Sequence, residues 1–233
     1  MTGLILAAGR NRRFRKETPK FLHRYKGKEI IVRVLEAMRP SVERFVVVTG
    51  DFEEDIRRTL AGRGDVTYVR QDEPRGTGHA CLVAAAALDG APESVLVSYS
   101  DKPLVTADTF ARLACAHADT DADITFTTAM MDPPNSKGRI VREDGRFERI
   151  VEASDATGEE LAIREVHAGF FCAKPARFFE MLARLTPDNA KNEIYLTDVY
   201  AEFRREGLRV ETVEIPREES YDVNTVEDLE KIS

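Results

Sequence analysis

The residues best suited to chemistry fall in short segments that pair small residues, or a carboxylate, with positive charge. The first is LAAGRNRRFRKETPKFL, residues 6–22. Ala7, Ala8 and Gly9 have little or no side chain, so the backbone from Leu6 to Gly9 can bring N–H groups close to an anion. Arg10, Arg12, Arg13, Arg15, Lys16 and Lys20 supply positive charge around it. No Gly-Lys-Ser/Thr closes the loop and no GxGxxG follows, which sets it apart from the common phosphate-binding motifs. The second segment is Gln71 followed by Arg75-Gly76-Thr77-Gly78-His79-Ala80. Glycines at a helix start can offer orphan N–H groups to a ligand, and a Gln amide can pair with a base edge; a turn in which Thr77 caps the helix is the competing reading. The third is Ser100-Asp101-Lys102-Pro103-Leu104, whose Asp is suited to hold Mg²⁺ if it ends a buried strand, or else to cap the next helix. Near the other end, Asn224 in YDVNTVEDL either offers a neutral oxygen to the same cation or caps a helix together with Glu227.

Elements of strand and helix length must position these segments. Apolar runs at Gly3–Ala7, Arg44–Thr49, Val66–Val69 and Val95–Tyr99 alternate with helical patterns at 29–38, 52–60 and 78–88. Repeated βα units predict a mostly parallel sheet with helices on both faces, and ligands in such sheets bind beyond the carboxyl ends of the strands. The first three candidate segments each follow such a strand. In the second half, Arg139–Val141 and Phe147–Val151 flank Asp144-Gly145, a hairpin signal that predicts a small antiparallel addition. Further strands are expected at 123–129, 165–173 and 209–215, and helices at 176–185, 196–206 and 225–232.

The 233 residues, 42% of them hydrophobic, suit one domain of ordinary core size, with no repeat or long linker to divide it. A net charge of −7 argues against nucleic acid or an anionic membrane as partner. The charge is uneven: residues 1–44 carry 12 Lys/Arg against 4 Asp/Glu, which points to an anionic ligand near the first loop. Cys81, Cys115 and Cys172 lie far apart without metal-ligand spacing, as free thiols in a reducing compartment would, so the cytoplasm is expected. Neither a signal peptide nor a membrane span is expected.

Taken together the motifs resemble the sugar-phosphate nucleotidyltransferases, most closely the uridylyltransferase (pyrophosphorylase) domain of bacterial UDP-N-acetylglucosamine pyrophosphorylase, over nearly the whole chain. LAAGRNRRFRKETPKFLH is similar to the family's LAAGxGTRMxSxxPKxLH, and QDEPRGTGHA and YSDKPL are similar to QxxxxGTGHA and YGDxPL. KGRIV, IVE, EIYLTD and the segment around Asn224 follow in the family's order. The resemblance implies a Rossmann-like nucleotidyltransferase fold with a nucleotide-binding half near 1–110 and an acceptor-binding half near 111–233. It implies that Leu6, Ala7, Ala8, Gly9, Gln71, Gly76, Thr77, Tyr99 and Ser100 bind the nucleotide, and that Gly138, Glu152, His167 and Thr197 bind the acceptor. It further implies Arg13 and Lys20 as catalytic cations and Asp101 and Asn224 as Mg²⁺ ligands. The second, β-helical half of the bifunctional relatives is expected to be absent.

The reaction so implied joins a nucleoside triphosphate, UTP by the uridine-binding pattern, to a sugar 1-phosphate with release of pyrophosphate. A phosphate dianion needs no general base to attack the α-phosphorus, so charge handling is the main task. Two other functions fit the same fold: a cytidylyltransferase acting on an alcohol phosphate, and a nucleotide-binding module without turnover. The chain departs from the family at Asn11, Arg12, Ser100, Lys137 (for Tyr) and His167 (for Asn). The last two predict that an acceptor other than N-acetylglucosamine 1-phosphate is favoured, or that this substrate is used poorly.

Overall fold

The computed structural model describes residues 1–9, 18–88, 93–189 and 192–232. Arg13, the predicted catalytic arginine, lies outside the described residues, as do Asn11 and Arg12. In chain order the first half holds β1 (Thr2–Leu6), the two-residue strands β2 (Arg24–Tyr25) and β3 (Lys28–Glu29), α1 (Ile30–Met38), β4 (Arg44–Thr49) and α2 (Glu53–Thr59). It continues with β5 (Val66–Arg70), α3 (Thr77–Val83), β6 (Val95–Tyr99) and α4 (Ala107–Thr120). The second half adds β7 (Ile124–Met130), β8 (Arg139–Glu143), β9 (Arg146–Val151), α5 (Gly158–Leu161) and β10 (Glu165–Ala173). It closes with α6 (Pro175–Leu182), α7 (Val199–Arg205), β11 (Val210–Glu214) and α8 (Val226–Ile232).

The main sheet runs β11-β7-β10-β6-β1-β4-β5. β6, β1, β4 and β5 are parallel, and β11 is parallel to β7, while β10 runs antiparallel to both of its neighbours. The chain leaves β1 toward β4 and β5 and then returns to place β6 on the other side of β1. The β1–β6 gap is therefore a topological switch point, where a crevice opens beyond the strand ends. Period-two alternation divides the core. Leu4, Leu6, Val46, Val48 and Val97 face one layer with Phe126, Phe171 and Tyr200, and Ile5, Val47 and Leu96 face the other with the buried stripe of α1. Among the described residues no helix is long and apolar enough to cross a membrane.

The predicted hairpin forms as β8 and β9, with Asp144 at φ 49° and Gly145 at φ 76°, the double positive φ of a tight primed turn. Two differences have local causes. The expected helix over 78–88 is broken into α3 and a 3₁₀ turn at Ala85–Leu88. The fourteen-residue α4 is not among the elements that the apolar pattern picks out, because its buried large residues are only Phe110, Leu113 and His117. Its ends hold it: the Thr106 hydroxyl accepts from the Thr109 N–H, and Asp121 closes the helix in the left-handed region.

Candidate active site

A cleft of about 690 Å³ opens at the switch point. One wall comes from the ends of β1 and β6 and the start of α3: Leu6, Ala8, Gly9, Gln71, Gly76, Thr77, Tyr99, Ser100 and Asp101. Gly138, Glu152, His167 and Thr197 line the same cleft, as do Lys20 and Asn224. Residues assigned from sequence to nucleotide, acceptor and metal thus share one cavity. Ala7 is the exception among the described ones. Its N–H is bonded to the Val48 carbonyl at 2.8 Å and its methyl is buried in the core of the other layer, so it spaces the loop and presents nothing to the cleft.

The turn before α3 is shaped by close backbone approach. Gly76 has φ +107°, and a Cβ there would sit 2.5 Å from the Ile194 carbonyl oxygen. No L side chain fits that conformation and that space. Gly76 occupies the N-cap position, and the Thr77 hydroxyl, expected as a cap, instead accepts the Leu196 N–H at 3.1 Å. This pins the 193–197 segment against α3. The Gln71 amide donates to the Gly76 carbonyl (3.2 Å) and bonds Nδ1 of His79 (2.9 Å), so the implied base reader is held in place from two sides.

At the centre, the Lys20 ammonium lies 2.5 Å from Oδ2 of Asp101 and donates to Oδ1 of Asn224 at 2.9 Å. Oδ1 of Asp101 is buried without a hydrogen-bond partner among the described residues. The residues present fit a hard divalent cation: a carboxylate and an amide oxygen already converge on one positive charge, and a second, orphaned carboxylate oxygen remains. Among the described residues no group of three or more His, Cys, Asp or Glu could hold a metal, so such an ion would take further ligands from substrate phosphates or water. The expected box of Asn224 with Glu227 does not form among the described residues. Thr225 and Asp228 cap α8 instead, with the Asp228 carboxylate accepting the N–H groups of Asn224 (3.0 Å) and Thr225 (2.9 Å).

On the acceptor wall, the Thr197 hydroxyl donates to Glu152 Oε1 at 2.7 Å, tying the end of β9 to the 196–198 turn. The Gly138 carbonyl accepts the His167 N–H at 2.9 Å. The His167 ring shares a hydrogen bond with the Tyr200 hydroxyl at 3.1 Å. Burial, aided by Lys102 and Lys137, pushes its pKa down to about 3, so it is a neutral imidazole throughout the physiological range. Burial also lifts Asp198 to about 6, with the Glu152 and Asp155 charges adding to the shift.

Among the cleft residues that sequence reasoning missed are Lys102 and Asp222. Lys102, in the turn after β6, lies 2.5 Å from Oδ1 of Asp222, and Lys137 lies 2.7 Å from Oδ2. Burial pushes the Lys102 pKa down to about 8 against the opposing pull of Asp222. Burial alone would raise the Asp222 pKa, but the two lysines outweigh it and hold the carboxyl below its usual range. A lysine directly after a buried strand end, and an aspartate two residues before Asn224, were the available signals.

The fold is that of a nucleotidyltransferase domain, and the chain belongs to the MobA-like NTP transferase domain family, which it matches over residues 3–198. It is 40% identical over 211 residues to the bifunctional protein GlmU of Geobacter metallireducens, covering 90% of this chain and 44% of that one. It is 38% identical over 233 residues to GlmU of Kineococcus radiotolerans, covering 99% and 47% respectively. The chain thus spans about half the length of the curated relatives it matches. In three dimensions it superimposes on a UDP-glucose pyrophosphorylase crystallised with UDP-glucose, with a TM-score of 0.79 at 19% identity, covering 99% of this chain and 96% of that one.

Proposed function

We propose that this protein is a pyrophosphorylase that joins a nucleoside triphosphate, UTP in the first instance, to a sugar 1-phosphate and releases pyrophosphate. The observation that carries this reading is one cleft lined by the Gly76–Thr77 turn, Gln71 and the Ala8–Gly9 loop, by Gly138, Glu152 and Thr197, and by Asp101, Lys20 and Asn224. Its volume of about 690 Å³ suits two substrates meeting end to end. The name of the structural neighbour, which pairs a pyrophosphorylase with a uridine diphosphate sugar, supports the same choice.

In this mechanism the β1 loop and the turn before α3 receive the phosphates and the base, and Glu152 and Thr197 orient the sugar hydroxyls and phosphate of the acceptor. An oxygen of the acceptor phosphate attacks the α-phosphorus and forms a new P–O bond. The bond between the α-phosphorus and the bridging oxygen breaks, and pyrophosphate leaves with the electron pair. Lys20, with Arg13 from the adjoining segment, offsets charge that accumulates on the leaving group. Asp101 and Asn224 would hold a Mg²⁺ ion, which when bound neutralises and aligns phosphate oxygens. His167, neutral and bonded to Tyr200, positions the acceptor and transfers no proton. The nucleotide lies on the 1–110 side and the acceptor on the 111–233 side of one domain that works away from membranes, in the cytoplasm.

Pyrophosphate release measured for four nucleoside triphosphates against a set of sugar 1-phosphates and alcohol phosphates, with and without Mg²⁺, tests this reading. Mg²⁺-dependent release with UTP and a sugar 1-phosphate is expected. Preference for CTP with an alcohol phosphate, or no release from any pair, would overturn it.

A further inference from the structure

Two lysines and one aspartate in the cleft wall have no part in the chemistry described above. Lys102 and Lys137 come from different segments, the turn after β6 and the loop before β8, and meet over the one carboxylate of Asp222. The side chains of Lys102 and Lys137 are 2% and 9% exposed, so two cations share one anion where little water reaches them. Their hydrogen bonding is unequal. Lys102 donates to the Ala168 carbonyl (2.8 Å), the Ser220 carbonyl (2.9 Å) and Asp222, which uses all three of its protons. Gly169, at φ +98°, makes room for it, since a Cβ there would lie 3.0 Å from the lysine Cε. Lys102 is therefore a fixed strut between β10 and the 217–222 segment. Lys137 donates to the Ser220 carbonyl (2.6 Å) and to Asp222, which leaves one N–H with no partner among the described residues.

The Lys137 backbone is also fixed. The buried Arg139 guanidinium donates to the Lys137 carbonyl, to the Asn135 carbonyl and to the Asn135 side chain, and the Asn135 side chain accepts the Lys137 N–H at 3.2 Å. A lysine anchored at both ends, next in sequence to Gly138 and with a proton to spare, forms a rigid donor on the acceptor wall. A second buried positive charge left without an anion is costly, and a ligand oxygen that supplies one recovers much of that cost.

We propose that Lys137, held by Asp222 and Lys102, recognises a second anionic group on the acceptor, a carboxylate or a second phosphate on the sugar, in addition to the phosphate that reacts. This deepens the pyrophosphorylase reading and rests on it for the identity of the acceptor wall. The reacting phosphate is already served by Thr197 in that reading, so the Lys137 donor is left for a different part of the molecule.

The test compares glucose 1-phosphate, glucuronic acid 1-phosphate and glucose 1,6-bisphosphate, both as substrates with UTP and as ligands in calorimetry with the wild type, Lys137→Gln and Lys137→Arg. The wild type is expected to favour at least one of the doubly anionic acceptors, and which one it favours distinguishes carboxylate from phosphate. Loss of one charge-assisted hydrogen bond lowers that preference by about 10- to 100-fold in Lys137→Gln, in KM and Kd rather than kcat, and Lys137→Arg restores part of it. Equal losses for all three acceptors in Lys137→Gln, or a wild type that favours glucose 1-phosphate, would overturn the proposal while leaving pyrophosphorylase activity in place. Charge-selective binding without any turnover would uphold it and remove the catalytic reading. Absence of both binding and turnover would remove both.

Discussion

Replacing Gly76 by alanine separates two costs that the structure assigns to this turn. At φ +107° an alanine occupies a region nearly reserved for glycine, which costs about 1–3 kcal/mol. The new Cβ would also lie 2.5 Å from the Ile194 carbonyl oxygen and 2.9 Å from the Ile194 nitrogen, atoms of a backbone that Thr77 and Arg75 already fix. Overpacking of that kind adds about 1–3 kcal/mol, for a total near 4 kcal/mol. Two other glycines resolve the sum. Gly62 has φ +81° and nothing within 4 Å, so Gly62→Ala should cost only the backbone part, about 1–2 kcal/mol. Gly64 has neither feature, and Gly64→Ala should be nearly neutral. For a domain of this size each kcal/mol lowers Tm by about 2–4 °C, so the expected drops are about 8–16 °C for Gly76→Ala and a few degrees for Gly62→Ala. Thermal unfolding by circular dichroism reads all three. Because the Gly76 carbonyl also holds the Gln71 amide, KM for the nucleoside triphosphate should rise in Gly76→Ala assayed well below its Tm. A Tm for Gly76→Ala within 2 °C of that for Gly62→Ala would refute the reasoning, since the 193–197 segment would then yield freely to the added methyl.

Asp101→Asn should reduce turnover about 10²-fold or more and weaken the response to Mg²⁺ while the fold is kept; unchanged activity at limiting Mg²⁺ would remove Asp101 from the site. Arg13→Ala should lower kcat about 10²- to 10³-fold with little change in nucleotide binding. Arg24→Ala should do little, because Arg24 is exposed and, among the described residues, paired only with Glu29. Similar losses in both arginine variants would mean that the basic segment acts as a diffuse patch. His167→Asn should flatten the acid side of the stability profile. The folded imidazole titrates near pH 3 and the unfolded one near 6.5, so the unfolded chain binds the extra proton between these values and stability falls as pH drops through that window. The share of one such group is at most about 1.4 kcal/mol per pH unit, and urea unfolding at pH 7 and pH 4.5 measures it as a difference of differences. Parallel wild-type and variant profiles would show that His167 is protonated without penalty in the fold.

How far these features are legible in the amino-acid sequence depends on the range of the interaction that makes them. Strand runs such as RFVVVT and the hairpin at Asp144-Gly145 are local signals, and both become the expected elements. Placing Asp101, Gly76 and Gly9 at strand ends is enough to bring them to one cleft, because parallel strands deliver their carboxyl ends to the same edge. Helix α4 escaped because its apolar face is narrow and its caps at Thr106 and Asp121 carry much of the definition. The Lys102–Asp222 and Thr197–Glu152 pairs span 120 and 45 residues, and no local pattern marks a partner at that distance.

The two ambiguous caps show how tertiary structure resolves a choice that the sequence leaves open. Thr77 and Asn224 each stood at a helix start with a side chain fit either to cap the helix or to serve the cleft. In the first case Gly76 occupies the N-cap position without offering a side chain, and the Thr77 hydroxyl turns to the Leu196 N–H across the fold. In the second, Thr225 and Asp228 exchange the capping hydrogen bonds, and the Asn224 amide oxygen turns to Lys20. A neighbour fills the cap position in both cases, at a cost of at most about 1 kcal/mol where glycine replaces a better capping residue. A polar side chain released from its own helix has to find another partner when part-buried, and here both find one at the cleft. The residues that looked most like ordinary caps are therefore the ones that join the two halves of the candidate site.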